Sequence, residues 1–195
     1  EDGPTHQPVE HVASLRAVPN LQVFRPACGI ETAECWELAV TSETSPSVLA
    51  LTRQGVVNGR GAGDENRCAR GGYLLSGDAP GRDLTIIATG SEVGLALQAA
   101  EELGKLGKHA AVVSMPCIEL FREQDLAYQQ QTLGDKPRIV VEAGVRMGWD
   151  EWMRAGDVFI GMSSFGVSAP AADAYRHFGI TSDAIVASAR KLTNS

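Results

Sequence analysis

The sequence lacks an excess of positive charge, a long apolar run and paired cysteines, and each absence excludes a class of protein. Its formal net charge is −7, whereas a nucleic-acid-binding surface needs a basic patch. No segment approaches the roughly 20 apolar residues of a membrane-spanning helix. The four cysteines form no CxxC pair, which is typical of reduced cytoplasmic thiols and not of disulfides or a zinc site. We therefore predict no nucleic-acid partner, no membrane partner and no metal site.

Nucleotide-type phosphate loops are missing as well. Residues 55–67 contain four glycines, but they match neither GxxxxGK[ST] nor GxGxxG, and no helical pattern follows them. Their lack of periodicity predicts a linker, so we place one domain at residues 1–65 and a second at residues 66–195.

In the second domain, Thr89-Gly90-Ser91 could bind an anion through backbone amides, but a simple helix cap is the commoner role. The aromatic cluster at 145–152 favours packing or a subunit interface.

The first domain alternates between helix and strand, and the alternation predicts parallel pairing. Apolar periodicity places helices at 9–16 and 31–40 and strands at 21–24 and 48–52. The predicted inward face of the second helix consists of Ala33, Trp36 and Ala39 or Val40.

The second domain has the pattern of a complete α/β unit, with one mostly parallel sheet of five strands between two layers of helices. The predicted strands lie at 72–75, 84–89, 111–114, 138–143 and 158–161, and the predicted helices at 92–106, 171–178 and 183–192. The turn-rich residues 77–82 predict a hairpin between the first two of these strands.

The first eight residues and Arg53 carry the groups best suited to a site. Glu1-Asp2-Gly3-Pro4-Thr5-His6-Gln7-Pro8 puts an acid and a histidine on a Gly-Pro turn ahead of a predicted helix. Asp2 and His6 could bind a polyol and move a proton near neutral pH, although a capped helix start with an incidental histidine is the commoner arrangement. Arg53 follows a strand of a parallel sheet, where ligands gather. Its guanidinium either grips a phosphate or is simply solvated.

Many segments, in collinear order over nearly the whole chain, resemble transketolases. The opening octapeptide resembles the signature loop of that family, as though the chain began in the middle of an active-site loop. The likeness continues through Asn20-Leu21, Arg25-Pro26, Leu51-Thr52-Arg53-Gln54, Thr89-Gly90-Ser91-Glu92-Val93, Val113-Ser114-Met115-Pro116, Val141-Glu142-Ala143-Gly144, Gly161-Met162, Phe165-Gly166-Val167-Ser168-Ala169-Pro170 and Phe178-Gly179-Ile180-Thr181. The resemblance implies that residues 1–65 are the remnant of a pyrimidine-binding domain and residues 66–195 the C-terminal domain.

The resemblance implies transfer of a two-carbon ketol unit between sugar phosphates, with thiamine diphosphate and Mg²⁺ or another divalent cation as cofactors. On this resemblance, His6 matches a catalytic histidine at the reacting end of the sugar. Asp2 matches an acid that reads the configuration of a hydroxyl group, and Arg53 matches an arginine that grips the distal phosphate. Asp2, His6 and Arg53 are therefore the candidate substrate-binding residues, and His6 is also the candidate catalytic residue.

The resemblance also implies what this chain does not contribute. In transketolases the metal motif and the glutamate that activates the cofactor precede the matched part, and each site lies between two subunits. We therefore expect a homodimer for the complete enzyme, no cofactor-binding or metal-binding residue here, and no activity of this chain alone.

Two positions depart from the family pattern, and two other interpretations stay open. Cys28 stands where relatives usually carry an acid, and Ser163-Ser164 replace a typical Asp-Arg pair, which removes an ion pair expected there. A dihydroxyacetone-synthase-like relative would be distinguished by formaldehyde as acceptor. A non-catalytic dimerisation or binding module derived from the family is the other possibility.

Overall fold

A short parallel sheet and two helices form the first part of the fold. The computed structural model describes residues 3–63, 65–77 and 80–193. After a 3₁₀ turn at Pro4–His6, the elements are α1 (His11–Arg16), β1 (Gln22–Phe24), α2 (Gly29–Thr41) and β2 (Ser47–Leu49). β1 and β2 pair in parallel, which confirms the prediction from their alternation with helices.

The second part contains a five-stranded sheet in the order β3-β5-β4-β6-β7. Its elements are β3 (Tyr73–Ser76), β4 (Leu84–Ala88), α3 (Glu92–Lys105), β5 (Ala110–Ser114), α4 (Ile118–Arg122), α5 (Leu126–Leu133), β6 (Arg138–Val145), β7 (Val158–Met162), α6 (Ala171–His177) and α7 (Ser182–Thr193). The β4–β5, β4–β6 and β6–β7 pairs are parallel, and β3 is antiparallel to β5. None of the described helices has the length and apolar character to cross a membrane.

Side chains of the central strand alternate between two hydrophobic cores, one on each face of the sheet. Ile86 packs with residues of α3 and α7, such as Ala96 and Ile185. Ile87 packs on the opposite face, with Phe121 of α4 among its neighbours. Because both faces are covered by helices, the predicted three-layer α/β architecture is confirmed.

A third hydrophobic cluster joins the two parts of the chain. Phe24 of β1 and Cys35 of α2 pack there with Cys68, Tyr73 and Cys117 from the second part. The first part therefore completes its core with side chains from the second. All four cysteines of the chain are free thiols and buried.

The predicted hairpin between the first two strands of the large sheet is wrong. β3 and β4 are not neighbours, since β5 lies between them. All five residues of β4 are buried, so this strand suits the sheet interior, where β5 and β6 occupy both of its edges. β3 has three partly exposed side chains and takes the edge position instead.

The inward face predicted for α2 is wrong at Ala33, Trp36 and Val40, although Ala39 does pack against the third hydrophobic cluster. Trp36 and Val40 are 51% and 75% exposed, whereas Glu31 and Cys35 are buried. Glu31 faces inward because its carboxylate accepts three hydrogen bonds of 2.6 Å, from the Ala27 amide and the hydroxyls of Tyr73 and Ser114. A hydropathy pattern assigns a carboxylate to the solvent side, so a prediction from that pattern selects the wrong inward face for this helix.

Candidate functional site

Segments far apart in sequence surround a cleft of about 250 Å³. The opening loop contributes Gln7, and the chain after β2 contributes Thr52 and Gln54. The opposite wall comes from the second part of the chain, including Ser91 at the start of α3 and Tyr175 on α6. The cleft therefore forms only because the two parts pack together.

The first predicted site residue, His6, lies on the 3₁₀ turn beside this cleft. Its side chain is exposed, and its Nδ1 lies 3.0 Å from the Thr5 hydroxyl. The next residue, Gln7, lines the cleft and touches the loop after β7, where a Cβ on Gly166 would lie only 2.4 Å from the Gln7 carbonyl oxygen. Asp2, the predicted partner of His6, lies outside the described residues.

Arg53 lies between two residues of the cleft lining, Thr52 and Gln54, and is not itself part of that lining. Exposure alternates here, since Leu51 and Arg53 are exposed while Thr52 and Gln54 are partly buried against the second part of the chain. The structure thus brings the segments carrying His6 and Arg53 to one cleft. Within the described residues, no hydrogen bond joins the two side chains themselves.

One residue of the cleft lining, Arg25, belongs to a cluster of buried charges, which we call the buried ion cluster. Its members are Arg16, Arg25, Glu92 and Glu142. Arg25 Nη1 lies 2.9 Å from a Glu92 oxygen and 2.8 Å from a Glu142 oxygen. Arg16 forms two hydrogen bonds to Glu142, of 2.9 and 3.0 Å. The two carboxylates are at most 2% exposed, so the pairing with arginine is what makes their burial possible.

Burial and charge act in opposite directions on these groups, and charge prevails. Burial alone would raise the pKa of Glu142, but the charges of Arg16 and Arg25 and hydrogen bonds from Arg16 and Trp149 lower that pKa below its ordinary value. Burial alone would lower the pKa of Arg25, but the charges and hydrogen bonds of Glu92 and Glu142 raise it. Both groups are therefore held in their charged forms at neutral pH.

Hydrogen bonds connect the buried ion cluster to the cleft wall. Glu92 Oε1 accepts bonds from the Tyr175 hydroxyl at 2.5 Å and the Ser91 hydroxyl at 2.7 Å. The Gln54 side-chain amide donates to Ser91 Oγ at 3.3 Å. Burial, followed by the charge of Glu92, raises the pKa of Tyr175, so this hydroxyl stays protonated and can donate. A chain of contacts therefore runs from Arg25 to the residue after Arg53.

Sequence reasoning missed the buried ion cluster, although a signal for it exists. Arg25, Glu92 and Glu142 each fall within a segment that resembles the family, and no pattern of spacing links them. The structure also explains Thr89-Gly90-Ser91: the Gly90 amide donates to the Arg25 carbonyl at 2.9 Å, and φ at Gly90 is +59°, which favours glycine. The turn docks the first part of the chain, and the Ser91 side chain forms no capping bond.

The described residues do not fit a metal–diphosphate site. They contain no group of three or more histidine, cysteine, aspartate or glutamate side chains that could hold a metal ion. The two carboxylates nearest the cleft, Glu92 and Glu142, are occupied by arginines. Hard divalent cations need several free oxygen ligands, whereas the described cleft lining includes the Arg25 guanidinium and no aspartate or glutamate.

The fold defines a two-part α/β protein with a cleft between its two parts. Residues 71–181 match the family model of the transketolase-like TK C-terminal domain, and residues 1–57 match that of the transketolase pyrimidine binding domain. Since the first match alone covers more than half of the chain, the chain belongs to the transketolase family.

Individual relatives agree with this assignment. The chain is 59% identical over 194 residues to a transketolase of Sinorhizobium medicae, covering 98% of this chain and 28% of the relative. A Pichia stipitis transketolase structure in complex with sedoheptulose 7-phosphate has a TM-score of 0.91 at 37% identity, covering 100% of this chain and 28% of that one. A split-gene transketolase structure, an inactive β4 tetramer, has a TM-score of 0.79 at 25% identity, covering 98% and 63%. The chain thus spans less than a third of the curated relative.

Proposed function

We propose that this chain is the substrate-binding end of a transketolase that transfers a two-carbon ketol unit from a ketose phosphate to an aldose phosphate. The observation that carries the proposal is the convergence of the His6 loop and the Arg53 segment on one cleft, through Gln7, Thr52 and Gln54. The sugar-phosphate complex of the Pichia stipitis relative supports the substrate class.

Each of the three candidate residues would contact a different part of the sugar phosphate. Within the described residues, the His6 Nδ1 contact with Thr5 leaves Nε2 without a partner, so that nitrogen would exchange a proton with the oxygen at the reacting end. Arg53 would hold the distal phosphate through a two-pronged contact. Asp2 would accept a hydrogen bond from a sugar hydroxyl.

The cofactors and partners follow from the same proposal. Thiamine diphosphate, with Mg²⁺ or another divalent cation, would supply the electron sink for breaking the carbon–carbon bond. Because the described residues do not fit a diphosphate–metal site, we propose that other parts of a homodimeric enzyme hold both. Two domains at residues 1–65 and 66–195 and a cytoplasmic location complete the proposal, and the four free, buried cysteines support that location.

Replacing Arg53 with alanine in the complete enzyme is expected to raise KM for phosphorylated acceptors about 10- to 100-fold, the usual effect of losing hydrogen bonds to a charged group. Steady-state kinetics with a phosphorylated and an unphosphorylated aldose measure this effect. KM for the unphosphorylated aldose should stay unchanged, and Arg190→Ala, at an exposed arginine of α7, should change neither constant. Equal KM changes for both aldoses would contradict a phosphate-binding role.

The chain by itself is expected to bind no thiamine diphosphate and to transfer no ketol group. Calorimetric titration of the purified chain with thiamine diphosphate and Mg²⁺ measures the first expectation, and a coupled assay with sugar phosphates measures the second. The description of the split-gene relative as inactive supports this expectation. Micromolar binding to the isolated chain would contradict it and would show a cofactor site within these residues.

A further inference from the structure

We propose that Gln54 is a positioning residue, which Ser91 and Tyr175 of the C-terminal domain anchor so that Arg53 points toward the phosphate of the substrate. The inference rests on the proposed function, since it concerns the same arginine. It assigns the second part of the chain a role in substrate recognition, although none of the residues proposed to contact substrate belongs to that part.

The first step of the argument is the alternation of side chains around Arg53. Thr52 and Gln54 are partly buried and line the cleft, whereas Arg53 between them is exposed. The chain bends at residues 53 and 54. Fixing Thr52 and Gln54 against the second part of the chain therefore holds Arg53 on the exposed side of this bend, next to the cleft.

The second step is the contact that fixes Gln54. Its amide nitrogen donates to Ser91 Oγ at 3.3 Å, and Ser91 Oγ lies 2.9 Å from the Tyr175 hydroxyl. Both hydroxyls bond to Glu92 Oε1, and Glu92 is fully buried. The anchor of Gln54 is therefore attached to the rigid interior of the second part.

The third step is the local structure around Arg53, which provides no other anchor. β2 ends at Leu49, and residues 50–58 contain no helix or strand. The Ala50 amide bonds to the Phe24 carbonyl at 2.8 Å, which holds the beginning of this segment on β1. Among the described residues, Gln54 forms the next hydrogen bond along the segment, so its loss should leave Arg53 free to sample other directions.

The test compares Gln54→Ala with Arg53→Ala in the complete enzyme. Gln54→Ala is expected to raise KM for a phosphorylated aldose about 3- to 10-fold, as the loss of one hydrogen bond does, and to change kcat and KM for an unphosphorylated aldose much less. Gln98→Ala is the matched control, because Gln98 is exposed on α3 and donates a bond of similar length, 3.4 Å, to Glu102. This control should change no constant.

Tyr175→Phe extends the test to the anchor itself. It should raise the same KM, and the double variant with Gln54→Ala should match Gln54→Ala alone, because the two residues act through one contact chain.

An equal KM increase for both aldoses, or additive effects in the double variant, would overturn the inference. If Gln54→Ala has no effect while Arg53→Ala acts selectively on the phosphorylated aldose, the inference fails and the proposed function stands. If Arg53→Ala itself is not selective, the proposed role of Arg53 fails.

Discussion

Replacing His6 with alanine in the complete enzyme is expected to lower kcat about 10²- to 10⁴-fold, the usual contribution of a positioned proton-transfer group. The reason lies in the loop geometry: Nδ1 contacts Thr5, the following residue lines the cleft, and the loop is packed against Gly166. A histidine held in this way can present Nε2 to a bound sugar. Single-turnover and steady-state kinetics with saturating ketose phosphate measure the effect.

His11 provides the matched control for this substitution. It lies five residues further along the chain on α1, is exposed and contacts Glu10 at 3.6 Å, and has no part in the cleft lining. His11→Ala should leave kcat within about 2-fold of the unchanged enzyme, as surface substitutions usually do. Similar losses for both variants would argue that the opening segment needs its histidines for folding only.

Replacing Arg25 with methionine is expected to lower the free energy of unfolding by about 3–5 kcal/mol, because it removes one partner from a buried set of ion pairs. Methionine keeps much of the apolar stem, so the effect would come from Glu92 and Glu142 losing a shared cation. Urea unfolding of this chain measures it. Tryptophan fluorescence is a suitable signal, since Trp149 is fully buried and donates to Glu142 at 2.5 Å.

Arg146→Met is the control, since it removes an equally short ion pair that is exposed. Arg146 lies 2.6 Å from Asp150, with side chains 52% and 65% exposed, so the loss should be at most about 1 kcal/mol. If both variants lose the same free energy of unfolding, burial does not make the ion cluster more stabilising than an exposed ion pair.

The pH dependence of the Arg25→Met effect gives a second readout. Glu142 has a pKa below its ordinary value of 4.5, so its stabilising contribution is present above pH 4.5 and is lost as the pH falls through its lowered pKa. Without Arg25 the pKa of Glu142 should lie closer to 4.5, and the variant should lose less stability on acidification. The difference between the two proteins should therefore narrow below pH 4.5.

The sequence predicts those helices and strands that are determined by the residue pattern within their own segment. The parallel strands 84–88, 111–114 and 138–143 consist largely of apolar residues, and α3 ends before Gly107, where φ is +72°. Helices α4 and α5 have no counterpart in the prediction, because α4 has only five residues and the polar residues of 123–131 mask the periodicity of α5. The pairing of β3 with β5 and the orientation of α2 depend on partners distant in the chain, such as Tyr73 and Ser114 for Glu31, and no local pattern records them.

In the candidate site, too, short segments of sequence point to some residues, whereas others depend on partners far away in the chain. His6 and Arg53 are candidates because the short segments around them resemble the family, whereas the buried ion cluster joins residues 117 and 126 positions apart. The aromatic cluster predicts packing or a subunit interface, and the burial of Trp149 and Trp152 agrees with packing, while Met147 is 52% exposed. The role of Gln54 could not be inferred from sequence, because its partner Ser91 lies 37 positions away.

The hydrophobic cluster shared by Phe24, Cys35, Cys68, Tyr73 and Cys117 has a consequence for modular exchange. A chimera joined in the predicted linker, at residues 55–67, would take Phe24 and Cys35 from one parent and Cys68, Tyr73 and Cys117 from the other. The same junction would separate Arg16 and Arg25 from Glu92 and Glu142. The boundary between the two family matches is therefore a poor crossover point. Functional chimeras of such enzymes should need both sides of this contact surface from the same parent.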